Sequence, residues 1–172
     1  VGCSDDSGKG AEDSSLGDAG TVDSQVGDAR AGDAQAGDGG GEGCAELIVE
    51  SDVAIPMRDG KSLSAFIQRP ANPACQVPTV LIQTPYDKNN SRTLWFDGDA
   101  QANPLFSSPE FAFVVLDWRG FYGSSGAAVT QPDYGADGYD AVEWIAEQPW
   151  SDGQVATWGV SALCRVQYWT AV

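Results

Sequence analysis

The 172 residues carry 25 acidic side chains against nine basic ones and no histidine, for a formal net charge of −16 and a pI near 4.1. Such a balance repels phosphate and excludes a nucleic-acid binder. The longest clear apolar run, Phe111–Leu116, falls far short of the roughly 18 residues of a membrane span. Without a histidine these residues cannot by themselves assemble a Ser-His-Asp triad, because the serine hydroxyl needs a positioned base to take its proton.

The chain starts Val1-Gly2-Cys3-Ser4, a small residue before a cysteine and a tether-like segment after it. This is similar to the tail of a bacterial lipoprotein signal, so a lipid anchor at Cys3 and an exported protein, at the cell surface or in the periplasmic or extracellular space, are expected. A chance cysteine near an arbitrary start is the alternative. Residues 1–43 are Gly, Asp, Ala and Ser with few apolar side chains, and Gly-Asp pairs recur at Gly27, Gly32 and Gly37. The spacing matches neither an EF-hand loop nor a nonapeptide calcium repeat. The expectation is a disordered, acidic linker that buries too little apolar surface to offset its conformational entropy.

Order is expected over residues 44–172. Leu47–Ile55 and Leu63–Arg69 are β-rich runs around Met57-Arg58-Asp59-Gly60-Lys61, whose Asp-Gly pair signals an antiparallel hairpin. Cys44 and Cys75 flank its two strands; a disulfide and two free thiols both remain open. Thr79–Thr84 is a continuous apolar run, as in a strand covered on both faces, and Pro85–Asn90 reads as a polar loop at its C-terminal end. Phe111–Asp117 is a second buried strand, running into the glycine-rich loop Trp118–Gly126, which has neither the P-loop ending nor dinucleotide spacing. Tyr134–Gln148 reads as an amphipathic helix with Ala141, Val142, Ile145 and Ala146 on one face, ended by Pro149. Trp150–Gly153 reads as a turn into a strand at Val155.

That strand reaches Gly159-Val160-Ser161-Ala162-Leu163-Cys164, with a helix from Leu163 to Trp169. Strand, serine and helix in this order suit a nucleophile elbow, in which the hydroxyl stands clear of the sheet beside the free N–H groups of the helix start. Ser161 is therefore the candidate nucleophile, although strict G-x-S-x-G would need Gly where Leu163 stands. The alternation of strands and helices implies an α/β fold with a largely parallel sheet. No metal cluster or nucleotide motif is present, so no cofactor is expected.

From Val53 to Trp169 the chain resembles the cocaine esterase / Xaa-Pro dipeptidyl-peptidase (CocE/NonD) family of α/β-hydrolases. The matching pieces are Ile55–Gly60, Thr84-Pro85-Tyr86-Asp87-Lys88, Asp117-Trp118-Arg119-Gly120 through Gly126, Gln148–Gly153 and the elbow. The resemblance implies an incomplete α/β-hydrolase sheet preceded by the β-hairpin, and a serine hydrolase that cleaves a small ester or peptide substrate through an acyl-enzyme. It implies Ser161 as nucleophile, the backbone N–H of Ala162 as one oxyanion donor and the Tyr86 hydroxyl as the other. Asp117 and Arg119 fall to loop architecture. Ala162 stands where the family has an aromatic residue, and Cys164 stands for the second glycine, expected to face the core rather than act as a nucleophile. The family's acid and histidine follow later in the chain, so this piece is expected to need a C-terminal segment or a complementing chain. The alternative is an inactive truncated remnant or a binding module.

Overall fold

The computed structural model describes residues 43–96 and 104–171. The expected linker over residues 1–42 and the lipid anchor at Cys3 lie outside them. Five strands, β1 (Leu47–Pro56), β2 (Ser62–Pro70), β3 (Val77–Thr84), β4 (Ala112–Asp117) and β5 (Ser151–Thr157), form one sheet in the order β1-β2-β4-β3-β5. Helices α1 (Lys88–Trp95), α2 (Tyr134–Ala146) and α3 (Ala162–Thr170) connect or follow them.

The expected hairpin forms around Gly60 at φ 79°, with the Gly60 N–H donating to Met57 O at 2.9 Å. β2 then pairs antiparallel with β4, while β3 lies parallel to both β4 and β5. The sheet is thus mixed rather than largely parallel. The reason is topological: a two-stranded hairpin that joins a parallel sheet brings one strand in reversed.

The central strands are apolar on both faces because two cores flank them. Ala65, Ile67, Leu81, Val114 and Leu116 point into one core with Ala141, Ile145 and Trp150. Their sequence neighbours Phe66, Ile82, Phe113 and Val115 point into the other with Phe106 and Leu163. This strict division of adjacent residues is the two-residue period of the strand, read out as two buried faces. All six residues of β4 are buried.

Three local readings are corrected. The polar loop Pro85–Asn90 gives way at Lys88 to α1, which Asp87 caps by accepting the Asn89 N–H at 3.0 Å. The helix was hidden by its polar composition; its stability comes from Trp95 and the following Phe96, which join an aromatic cluster with Phe106, Phe113 and Trp158. Within Trp118–Gly126 a 3-10 turn starts at Tyr122 and runs to Ala127. β5 begins at Ser151, where a turn was expected, because Val77 draws that segment into register with β3.

Cys44 and Cys75 form a disulfide with Cα atoms 5.8 Å apart. It closes the entrance of β1 onto the segment before β3. Among the described residues no helix is long and apolar enough to cross a membrane.

Candidate active site

The site is built at one end of the parallel half of the sheet. β3 and β5 are neighbours with Leu81 opposite Thr157, and the Trp158 N–H donates to Leu81 O at 3.1 Å just beyond the pairing. Tyr86 follows β3 and Ser161 follows β5, so the two residues leave the same sheet end on adjacent strands. Loops in this position are where open α/β sheets place their sites.

Ser161 sits between β5 and α3 with φ 54° and ψ −122°, a conformation that a residue bearing a Cβ adopts only under constraint. Its side chain is exposed, and the neighbouring Val160 is 65% exposed. What constrains it is visible on both sides. A Cβ on Gly159 would collide with the Leu163 side chain, so the missing side chain on the strand side compensates for the leucine at the position where the strict motif has glycine. Gln167 then braces the turn: its amide donates to Gly159 O at 3.2 Å and Leu163 O at 3.0 Å and accepts from the Thr157 hydroxyl at 3.0 Å. Ser161 O accepts the N–H groups of Cys164 and Arg165, while no backbone acceptor among the described residues takes the Ala162 N–H. A free N–H at the helix start is a ready donor to a developing negative charge. Cys164 is buried, as expected, and α3 forms with the cysteine in place.

Tyr86 is 51% exposed, and its N–H is held by Thr84 Oγ1 at 3.0 Å. Beside it, Asp117 is fully buried at the end of β4 and accepts the Lys88 N–H at 2.7 Å and the Gly123 N–H at 3.0 Å. Burial pushes the Asp117 carboxyl above its usual range, against the pull of those two N–H donors and of the Lys88 ammonium. Arg119 forks onto Asp137, with Nη2 at 2.6 Å from Oδ1 and Nε at 2.9 Å from Oδ2, and reaches Asp59 at 2.7 Å. Both residues tie segments of the chain together: Asp117 joins Lys88 to Gly123, and Arg119 joins Asp137 to Asp59. Among the described residues no three His, Cys, Asp or Glu side chains cluster as a metal site.

The family profile of X-Pro dipeptidyl-peptidase (S15 family) matches residues 59–172, from the hairpin turn through the elbow. The chain belongs to this family. Cocaine esterase from Rhodococcus sp. (strain MB1 Bresler) is 37% identical over 130 residues, covering 72% of this chain and 21% of the esterase. Among solved structures, a CocE/NonD family hydrolase from Staphylococcus aureus matches with TM-score 0.58 at 31% identity, over 73% of this chain and 25% of that one. An aminopeptidase from the marine sediment archaeon Thaumarchaeota archaeon matches with TM-score 0.61 at 30% identity, over 73% and 23%. The chain spans about a fifth of the length of the curated relative. The S15 family is one of hydrolases, esterases and Xaa-Pro peptidases, and the mixed sheet described above is its α/β-hydrolase frame.

The structure brings the segments that carry Ser161, Ala162 and Tyr86 to one end of the sheet, on the adjacent strands β3 and β5. The bracing role of Gln167 and the pairing of buried Lys88 with Asp52 appear only in the structure. Nothing in the sequence marks a glutamine as the brace of a turn eight residues earlier, or a lysine in a polar stretch as fully buried.

Proposed function

We propose that this chain supplies the nucleophile and the oxyanion donors of a serine hydrolase acting on an ester or Xaa-Pro amide. The observation that carries the reading is the backbone of Ser161, held at φ 54° and ψ −122° with its side chain exposed between a strand and a helix. A constrained serine at such a turn presents Oγ to a carbonyl carbon while the helix N–H groups face the oxygen.

In this reading Ser161 Oγ attacks the substrate carbonyl and its proton passes to a base. The Ala162 N–H and the Tyr86 O–H donate to the oxyanion of the tetrahedral intermediate; a phenol does so without bringing a full charge. Collapse of the intermediate expels the alcohol or amine, which leaves with a proton, and water then attacks the acyl-enzyme to release the acid and restore Ser161. These residues hold no histidine to act as the base; in this reading the base and its acid partner come from sequence outside Val1–Val172.

The test is active-site labelling of the full protein that carries this chain, with a fluorophosphonate probe, followed by peptide mass mapping. The adduct is expected on the peptide containing Ser161 and is lost in Ser161→Ala. Stoichiometric labelling of a different serine would overturn the assignment. Turnover of a p-nitrophenyl acyl ester against an Xaa-Pro p-nitroanilide then separates esterase from peptidase.

A further inference from the structure

Lys88 is among the largest fully buried side chains of the described residues, with 1% exposure. A buried ammonium is costly unless it is paired, and this one is paired twice. Its Nζ lies 2.8 Å from Asp52 Oδ1 and 3.5 Å from Asp117 Oδ2. Asp52 reaches it from the bulge in β1, where the register slips between Glu50 and Val53 and Asp52 takes φ 56°. The Ser64 hydroxyl also donates to Asp52 Oδ1, at 3.4 Å. Gly123 closes the other side: a Cβ there would stand 2.7 Å from Lys88 Nζ and 2.8 Å from Ser64 Oγ, so the channel for the ammonium exists because residue 123 has no side chain.

The same residue is tied through its main chain to Asp117, two positions after Tyr86. The aromatic cluster anchors α1 at its C-terminal end, through Trp95 and Phe96, seven residues and more beyond Lys88. α1 has eight residues, too few to be stable by itself. Asp87 sits at φ 75°, and the Tyr86 hydroxyl has no hydrogen bond among the described residues. The position of the phenol is therefore set by the backbone, which is pinned at Thr84 on one side and at Lys88 on the other.

We infer that Lys88, clamped between Asp52 and Asp117, is a positioning residue that holds the Tyr86 hydroxyl in the oxyanion site. The inference rests on the proposed role of Tyr86. Burial alone would lower the Lys88 pKa, but the two carboxylates outweigh it and the net direction is upward, so the ammonium stays charged through the neutral range.

The test is a double-mutant cycle in the full protein that carries this chain, read as kcat and KM with p-nitrophenyl acetate. Tyr86→Phe removes the donor and is expected to lower kcat by about a hundred- to a thousandfold. Lys88→Met and Asp52→Asn displace the donor and are expected to lower kcat by about ten- to a hundredfold with KM little changed. In the Tyr86→Phe background neither should lower kcat further, because there is no hydroxyl left to misplace. Asp52 is largely exposed, so Asp52→Asn decides the matter if Lys88→Met does not fold. Equal losses with and without the Tyr86 hydroxyl would overturn the inference alone, as would full kcat in folded Lys88→Met and Asp52→Asn. An unchanged kcat in Tyr86→Phe would overturn the oxyanion reading and the inference together.

Discussion

Asp117 and Arg119 stand two residues apart, the one ending the most buried strand of the sheet and the other just past it, yet they anchor different parts of the molecule. Asp117 is a buried carboxylate that ties the segment of Tyr86 and the loop at Gly123 to the end of β4. Arg119 is a buried guanidinium that ties α2, through Asp137, to the hairpin turn, through Asp59. The first cluster borders the candidate oxyanion site, and the second lies against the helix that covers one core. A planar guanidinium fork gives rigidity in two directions at once, as suits the joining of secondary elements. The Asp117 carboxylate instead gathers N–H groups from the start of α1 and from the 3-10 turn at Gly123, and so sets where those two segments leave the sheet. On the proposed roles this is a division of labour: the Asp117 cluster sets the place of the candidate oxyanion donor, and the Arg119 cluster joins α2 to the hairpin turn.

The sharpest way to break that division is Arg119→Met. It leaves Asp137 buried without its guanidinium and is expected to destabilise the domain by about 3–5 kcal/mol, as urea unfolding would measure. The kcat of the molecules that remain folded should not change. A fall in that kcat comparable to that of Lys88→Met would show that the two clusters are not separate.

The disulfide Cys44–Cys75 ties the hairpin at the other end of β1. Replacing both Cys44 and Cys75 with serine opens a loop of sequence separation 31 and is expected to cost about 2–4 kcal/mol by the same measurement. The covalent tie lies at the far end of β1 from the elbow, so kcat should again be preserved. A reducing agent that matched the double substitution in stability would identify the bond as the cause.

The smallest effect concerns Asp140, whose carboxylate holds Arg58 in the hairpin turn at 2.7 Å. Burial would raise the Asp140 pKa, but hydrogen bonds from the Arg58 side chain and main chain outweigh it and bring the carboxyl below its ordinary value of 3.8. A depressed folded value means a contribution to stability that is present above pH 3.8 and lost as pH falls through the lower, folded value. Asp140→Asn should therefore be less stable than the parent at neutral pH and converge with it at the acid end of a pH series. A gap that widened toward acid would show that the pair is not the source.

Pattern along the chain was enough for much of this architecture. The Asp-Gly turn, the apolar runs at Thr79–Thr84 and Phe111–Asp117, the one-sided helix from Tyr134 and the strand–serine–helix order at Ser161 are all local signals. Each depends on residues within a few positions of one another. The ordered motifs from Ile55 to the elbow also carried the family, because spacing along the chain survives in the sequence whatever the tertiary contacts are.

Contacts between distant segments could not be read in this way. Whether Cys44 meets Cys75 depends on a Cα separation that the closing of the sheet sets. α1 depends on aromatic partners as far along the chain as Trp158, and the burial of Lys88 on a bulge thirty-six residues earlier and a glycine thirty-five residues later. The Ser161 turn tolerates leucine at position 163 because Gly159 leaves room for it, which only the packing of α3 against the strand end reveals. Local propensity selects the elements and the candidate nucleophile. The desolvation of charges and the close approach of side chains are many-body consequences of packing, and they decide which of the polar residues hold that nucleophile's surroundings in place.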